Sequence, residues 1–409
     1  MPTEKDRSRP ETEMMTLGWD PPRGMGSLKT PLFQTSTFRF DSAEEAKRAF
    51  DVTYGGAELG NGEEIGYIYT RLDHPNLVVV EQRLALWDQA ERALLFSSGM
   101  AAIFTTALTL LRPGDLVLHS SPLYGGTNSV FEHVLAPMGI VAASFGPDAD
   151  GEELERLLEG RRLGLVYVES PANPTNDIFD IAMASSVASK HGAPTLVDNT
   201  YLGPLGQQPH AHGADLVVYS ATKYYGGHSD LVAGVVTGPD DLIKKVRTMR
   251  YRIGTTADPH SAWLLGRSLE TYALRSQRQV ENATRVAEYL TTHPKVSRVG
   301  YLGLIDADDP RRALYERQCT SAGAMITFEV KGGREEAFRL LDSMRVVGLA
   351  TSLGGTESIA SHPVTTSHSN VDSETRDQMG ISEGMVRFSV GIEAAQDIIA
   401  DLDQALGAV

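Results

Sequence analysis

From about residue 73 onward the chain alternates short apolar runs with longer amphipathic stretches. Runs rich in β-branched residues recur at Leu116–Leu118, Leu165–Val168, Thr195–Val197, Leu216–Tyr219 and Val232–Val236. Each is short and nearly all apolar, the pattern of a strand buried on both faces. Segments with helical spacing lie between several of them, at 76–89 and 180–191. Such alternation predicts an α/β layer built on a mostly parallel sheet.

Pro259 suits a first helical turn. Beyond it Leu265, Leu269 and Ala273, then Val280, Ala283, Ala287 and Leu290, recur at three- and four-residue steps. That spacing predicts a long helix whose apolar stripe is core. Further strands are predicted at 323–330, 346–352 and 385–391, with helices at 334–344 and 394–406. The reading is a large domain over 73–260 and a smaller α/β domain over 261–409. Upstream, residues 1–25 read as a polar tail. Residues 26–72, with the glycine-rich "TYGGAELGNGEEIG", read as an arm without a long helix that must pack on something else.

Composition narrows the function. The net charge is −16 with no basic cluster, which argues against a nucleic-acid or anionic-membrane surface. Cys319 is the only cysteine, so an intramolecular disulfide and any multi-cysteine metal site are excluded. A lone cysteine fits a reducing compartment. The first thirteen residues lack an apolar signal core, and the run Met100–Leu111 is too short to span a bilayer. A cytoplasmic enzyme is expected. "PHAHG" at 209–213 offers two histidines but no third ligand, so no metal is expected.

Polar residues close several of the strands: Glu169 after "LVYV", Asp198 after "PTLV" and Ser220 after "DLVVY". Carboxyl ends of strands form the ligand crevice of open α/β sheets. No G-x-G-x-x-G or G-x(4)-G-K-[ST] is present, which counts against a dinucleotide-binding dehydrogenase or a P-loop enzyme. In "FSSGMAAI", Ser98, Gly99 and Met100 would open a helix whose free N–H groups can hold a phosphate. In "YSATKYYGGHSD" at 219–230, Ser220 and Thr222 offer hydroxyls beside a single lysine, Lys223. A phosphate anchor, a lysine and a strand-end aspartate together suggest pyridoxal 5′-phosphate (PLP). The aspartate keeps the pyridine nitrogen protonated. The lysine must lose its proton to add to the cofactor aldehyde. His228, after the glycines, reads as structural.

Seven stretches carry a resemblance: "YTRLDHPN", "FSSGMAAI", "SSPLYGGT", "ESPANPT", "LVDNTY", "DLVVYSATKYYGGHSD" and "RFSVGIE". In this order they resemble the cysteine/methionine-metabolism family of PLP enzymes. That family includes cystathionine γ-synthase, cystathionine γ-lyase, methionine γ-lyase and O-acylhomoserine sulfhydrylase. The resemblance runs from about residue 26 to the C-terminus. It implies PLP fold type I, the aspartate aminotransferase-like fold, in dimers paired into a homotetramer with shared active sites. It implies that Lys223 carries PLP covalently and that Asp198 faces the pyridinium nitrogen. Gly99, Met100, Ser220 and Thr222 are implied to bind the phosphate. Tyr69 and Arg71 are implied to reach a neighbouring subunit's phosphate, Tyr69 also bordering the substrate. By the same resemblance Tyr124 stacks on the ring and exchanges protons near the leaving group. Asn173, Ser352 and Arg387 face the carboxylate of a small amino-acid substrate.

The family activates the γ carbon. Elimination gives a 2-oxo acid, ammonia and the leaving group; replacement installs a new nucleophile. Two positions pull apart. Methionine γ-lyases usually carry cysteine where this chain has Gly126, and cystathionine enzymes usually carry glutamate where it has Thr351. "HPVTTSHS" and "GISEGMVRFSVGIE" resemble methionine γ-lyase. γ-Elimination is therefore expected, with methionine first among substrates. The alternatives are γ-replacement, cystathionine cleavage or elimination from a specialised, for example γ-halogenated, amino acid. A PLP-binding protein without turnover is the rival of another class, and the intact lysine, aspartate, tyrosine and arginine speak against it. The 50–66 loop is expected to shape the entrance of a neighbouring site. Tyr225 is unusual where relatives carry an aliphatic residue or phenylalanine.

Overall fold

The computed structural model describes residues 9–60, 63–369 and 371–409. All five apolar runs become strands of one seven-stranded sheet. Its strands are β1 Arg92–Phe96, β2 Leu116–Ser120, β3 Val141–Phe145, β4 Leu163–Glu169, β5 Thr195–Asp198, β6 Leu216–Ser220 and β7 Gly234–Gly238. They lie in the order β1-β7-β6-β5-β4-β2-β3. Pairs from β6 through β3 are parallel, while β7 runs antiparallel to both β6 and β1. β2, β4, β5 and β7 are buried along their whole lengths, which is why their sequences do not alternate. β3 is the exposed edge, and "VAASF" lacks the apolar density that would have marked it. Helices Pro75–Trp87, Gly99–Leu110 and Ile181–Lys190 cover the sheet.

A second sheet holds β8 Val296–Gly300, β9 Met325–Val330, β10 Gly348–Leu349, β11 Ile359–Ser361 and β12 Met385–Ser389, in the order β10-β11-β12-β9-β8. The strand expected over 346–352 shrinks to two residues, and the rest of that stretch becomes a loop that enters the candidate site. The long helix expected after Pro259 is two, Pro259–Leu269 and Tyr272–Thr292. Asp258 caps the first through the N–H groups of His260 and Ser261. No helix of the described residues is long and apolar enough to cross a membrane.

The N-terminal reading needs two corrections. Pro10–Glu13 is a helix, and Met14 after it is fully buried in the large core with Leu77 and Leu84. Arg83 Nε donates to Leu17 O at 3.1 Å, so this segment is docked. One methionine among charged residues is too sparse a pattern to reveal that. The arm contains an eleven-residue helix, Ala43–Thr53. Ser42 Oγ accepts from Glu45 N at 3.1 Å and Glu45 Oε2 accepts from Asp41 N at 2.8 Å, close to a capping box. The S-x-x-E signal was present in the sequence. Arg48 then bonds Glu58 O and Glu63, folding the following loop back on the helix. Residues 1–8 of the expected tail and 61–62 of the 50–66 loop lie outside the described residues.

Candidate active site

The carboxyl ends of β4, β5 and β6 bring Glu169, Asp198 and Ser220 together, with Glu169 and Asp198 in register. Asp198 is buried; its Oδ2 accepts from Tyr167 Oη at 3.1 Å and its Oδ1 from Thr200 N at 3.0 Å. No lysine, arginine or histidine of the described residues pairs with it. Burial accordingly raises its pKa above the ordinary aspartate value. An uncompensated carboxylate at a strand end calls for a cation from outside the chain.

Helix Gly99–Leu110 starts beside Ser220. Ser98 Oγ caps it by accepting from Ala101 N at 3.0 Å, and the N–H groups of Gly99 and Met100 have no carbonyl a turn behind them. A side chain at 99 would bring its Cβ within 2.9 Å of Ser220 Cβ. Only glycine lets the helix N-terminus and the Ser220 hydroxyl converge on one small volume.

Lys223 follows β6 in a loop that several contacts hold. Thr222 Oγ1 donates to Ala233 O at 3.2 Å and accepts from Ala233 N at 3.0 Å, so its hydroxyl braces the loop. The buried Arg275 guanidinium donates to Tyr224 O at 2.8 Å, Tyr225 O at 3.2 Å and Ser268 O at 3.0 Å. Gly227 turns the chain at φ 67°, and a Cβ there would fall 1.7 Å from Arg275 Nη1. Lys223 Nζ donates to Ser352 Oγ at 2.7 Å. Burial first, then the Arg387 charge, lowers its pKa to about 8.

Ser352 sits at φ 112°, a strained conformation for a residue with a side chain. The strain has a use: its hydroxyl meets Lys223 while its carbonyl accepts from Arg387 Nη2 at 2.6 Å. Arg387, on β12, is buried, has no carboxylate partner among the described residues and leaves Nε without an acceptor. Asn173 Oδ1 is likewise buried and unpartnered. Tyr124 begins helix Gly125–Val130, its N–H donating to Glu169 Oε2 at 2.7 Å. Its ring lies over Gly126, where a Cβ would come within 2.6 Å of the ring and 3.1 Å of Met100 Sδ.

Tyr69 and Arg71 are not part of this cluster within one chain. Both are exposed; Arg71 stacks 5.9 Å from the Tyr69 ring and donates to Tyr251 O. No hydrogen bond or ion pair of the described residues joins them to Lys223, Asp198 or Arg387. Tyr225 turns out to be core, packed between Tyr219 and Tyr272 at ring distances of 5.1 and 5.0 Å. His228 Nδ1 lies 2.7 Å from Gly226 O in the same loop. Sequence reasoning missed Arg275, whose loop partners lie about 50 residues away and leave no local signal.

A model of the family described as Cys/Met metabolism PLP-dependent enzyme matches residues 11–407. The chain belongs to this family. Its cofactor is pyridoxal phosphate. Among Cys/Met-metabolism enzymes it is 41% identical to an L-methionine γ-lyase of Pseudomonas putida over 97% of both chains. It is 40% identical to the L-methionine γ-lyase of Treponema denticola, over 93% of this chain and 92% of the relative. A solved cystathionine γ-lyase from Micromonospora echinospora superposes with a TM-score of 0.88 at 33% identity, covering 98% of this chain and all of the other.

Proposed function

We propose that the chain catalyses γ-elimination on a γ-substituted L-amino acid, methionine first, releasing a 2-oxo acid, ammonia and the leaving group. One observation carries the amino-acid reading. Ser352 holds an amine with a lowered pKa on one side and a buried guanidinium without an acid on the other. The free guanidinium suits the substrate carboxylate, which arginine grips in bidentate fashion. The amine suits the α carbon next to it. The methionine γ-lyase relatives favour elimination and methionine.

The residues fit the cofactor end by end. Gly99 and Met100 N–H groups with Ser220 would hold its phosphate, Thr222 joining them by turning its O–H away from Ala233 O. Asp198 would hold its ring nitrogen, and Lys223 its aldehyde carbon covalently. When bound, PLP supplies the electron sink that acidifies the α and β positions of the substrate. The chain does the rest. Lys223 Nζ, released by the incoming amino group, would take the α proton and then a β proton, the loss that lets the γ substituent leave. Tyr124 covers the ring face and hands a proton to the departing γ substituent. Arg387, with Asn173 and Ser352, fixes the carboxylate so that the α C–H points at Lys223. For methionine, water completes the balance: 2-oxobutyrate, ammonia and methanethiol leave.

Tyr69 and Arg71 would serve the phosphate of a neighbouring subunit, Tyr69 also touching substrate, in a dimer paired into a homotetramer. Their exposure, and the absence of any hydrogen bond or ion pair from them to Lys223, Asp198 or Arg387 among the described residues, support that reading. We also place the protein in the cytoplasm, a reducing compartment that a lone cysteine fits. A second reading has its own support. Gly126 in place of cysteine permits a different leaving group, such as the halide of a γ-halogenated amino acid, while Thr351 in place of glutamate counts against cystathionine; γ-replacement is the remaining alternative. A mass-spectrometric product screen across γ-substituted amino acids, with and without thiols, decides. Methanethiol and 2-oxobutyrate from methionine are expected; faster turnover of an O-acylhomoserine with a thiol overturns the first reading.

A further inference from the structure

Glu169 is a buried acid for which none of the roles above accounts. It closes β4 in register with Asp198, and its own N–H is fixed by Ser120 Oγ at 2.9 Å. No basic side chain of the described residues pairs with it. Its two partners are backbone N–H groups from two different loops: Tyr124 N on Oε2 at 2.7 Å and Asn173 N on Oε1 at 3.4 Å. Those loops carry a ring-facing residue and a carboxylate-facing residue of the proposed site. Burying an acid beside another acid is costly. Burial first, and then Asp198, push its pKa up. A helix cap alone needs no acid drawn from 45 residues away, since a local serine or aspartate suffices.

We propose that Glu169 is a positioning residue, whose carboxylate locks Tyr124 and Asn173 to the strand end that carries Asp198. The inference rests on the proposed roles of Tyr124 and Asn173. Removing the carboxylate frees both loops and lets the Tyr124 ring drift from the cofactor face. A shift of about 1 Å in such a group costs roughly 100-fold in rate.

The test uses cofactor-loaded enzyme, normalised to bound PLP by its absorbance. Glu169→Ala is expected to keep the cofactor and lose about 10- to 100-fold in kcat/KM. Amide deuterium exchange should quicken in the peptides covering 122–130 and 172–176. Combined with Tyr124→Phe, the loss should fall well short of the product of the two single losses, because both act through one group. Glu169→Gln keeps one carbonyl oxygen for Tyr124 N–H and should recover about tenfold over the alanine variant. Unchanged exchange in both peptides, or losses that multiply in the double variant, overturns the proposal. Should Glu169→Ala fail to fold, Glu169→Gln carries the test: exchange at 172–176 quickens while 122–130 stays protected, and no change at either overturns it. Substrate is whichever γ-substituted amino acid alters the bound cofactor's absorbance. A wild type inert to all of them refutes the proposed function instead, leaving exchange to judge Glu169.

Discussion

At Lys223 the local physics makes a signed prediction. The amine is charged below a pKa of about 8 and neutral above it, because burial and the Arg387 charge both oppose protonation. Only the neutral amine adds to an aldehyde. Capture of PLP by cofactor-free protein should therefore speed up about tenfold per pH unit below that value and level off above it. Arg387→Gln removes one of the two causes, so the midpoint should move up; stopped-flow absorbance reads it, and a midpoint that stays or falls contradicts the assignment. Gly126 supports a second prediction of the same size. A Cβ there meets the Tyr124 ring at 2.6 Å, so Gly126→Cys must push the ring aside. Relative kcat/KM for methionine against bulkier γ substituents should change by about tenfold, within the range a steric pocket change supplies. An unchanged ratio would mean that the ring does not border the γ position.

At the scale of elements, the Lys223 loop depends on its backing more than on its own sequence. Arg275 satisfies three carbonyls, and Gly227 leaves it the space to do so. Gly227→Ala adds a left-handed alanine and a collision with Arg275. The variant should lose about 1–3 kcal/mol of stability and bind PLP more weakly, seen as faster cofactor loss on dialysis. The loop's chemistry was legible in "YSATKYYGGHSD", because lysine, hydroxyls and glycines are local signals. Its support was not, because Arg275 and Ser352 arrive from distant elements. The same distinction runs through the fold. β2, β4, β5, β6 and β7 announced themselves as apolar runs, whereas β1, edge β3, β8 and β11 did not, and the strand expected over 346–352 kept only the two residues of β10, because pairing partners set those limits. Met14 was misread because one apolar residue among charged ones is too sparse a signal, and the helix Ala43–Thr53 because it buries only Ala49 within the chain. For Glu169 and Asp198 the sequence showed two strand-end acids; their common register came only from the sheet.

The whole molecule bears on what completes the site. Leu28, Leu32, Phe50 and Tyr54 in the arm segment, and Met25 just before it, are exposed, which supports the proposed packing of the arm on a second copy. If Arg71 serves the neighbouring subunit's phosphate, each site takes Lys223 from one chain and Arg71 from the other. Lys223→Ala and Arg71→Ala proteins should each be nearly inactive alone. Unfolded, mixed in equal amounts and refolded, half of the resulting dimers pair one variant with the other. Each such dimer has one site with both defects and one with neither. Recovered activity should therefore approach about one quarter of wild type, by the symmetry of a two-fold interface. If Arg71 instead serves its own chain's site, every site in the mixture keeps one defect and nothing is recovered. The arithmetic separates the two arrangements without knowledge of the natural substrate, because any amino acid the wild type turns over will report it.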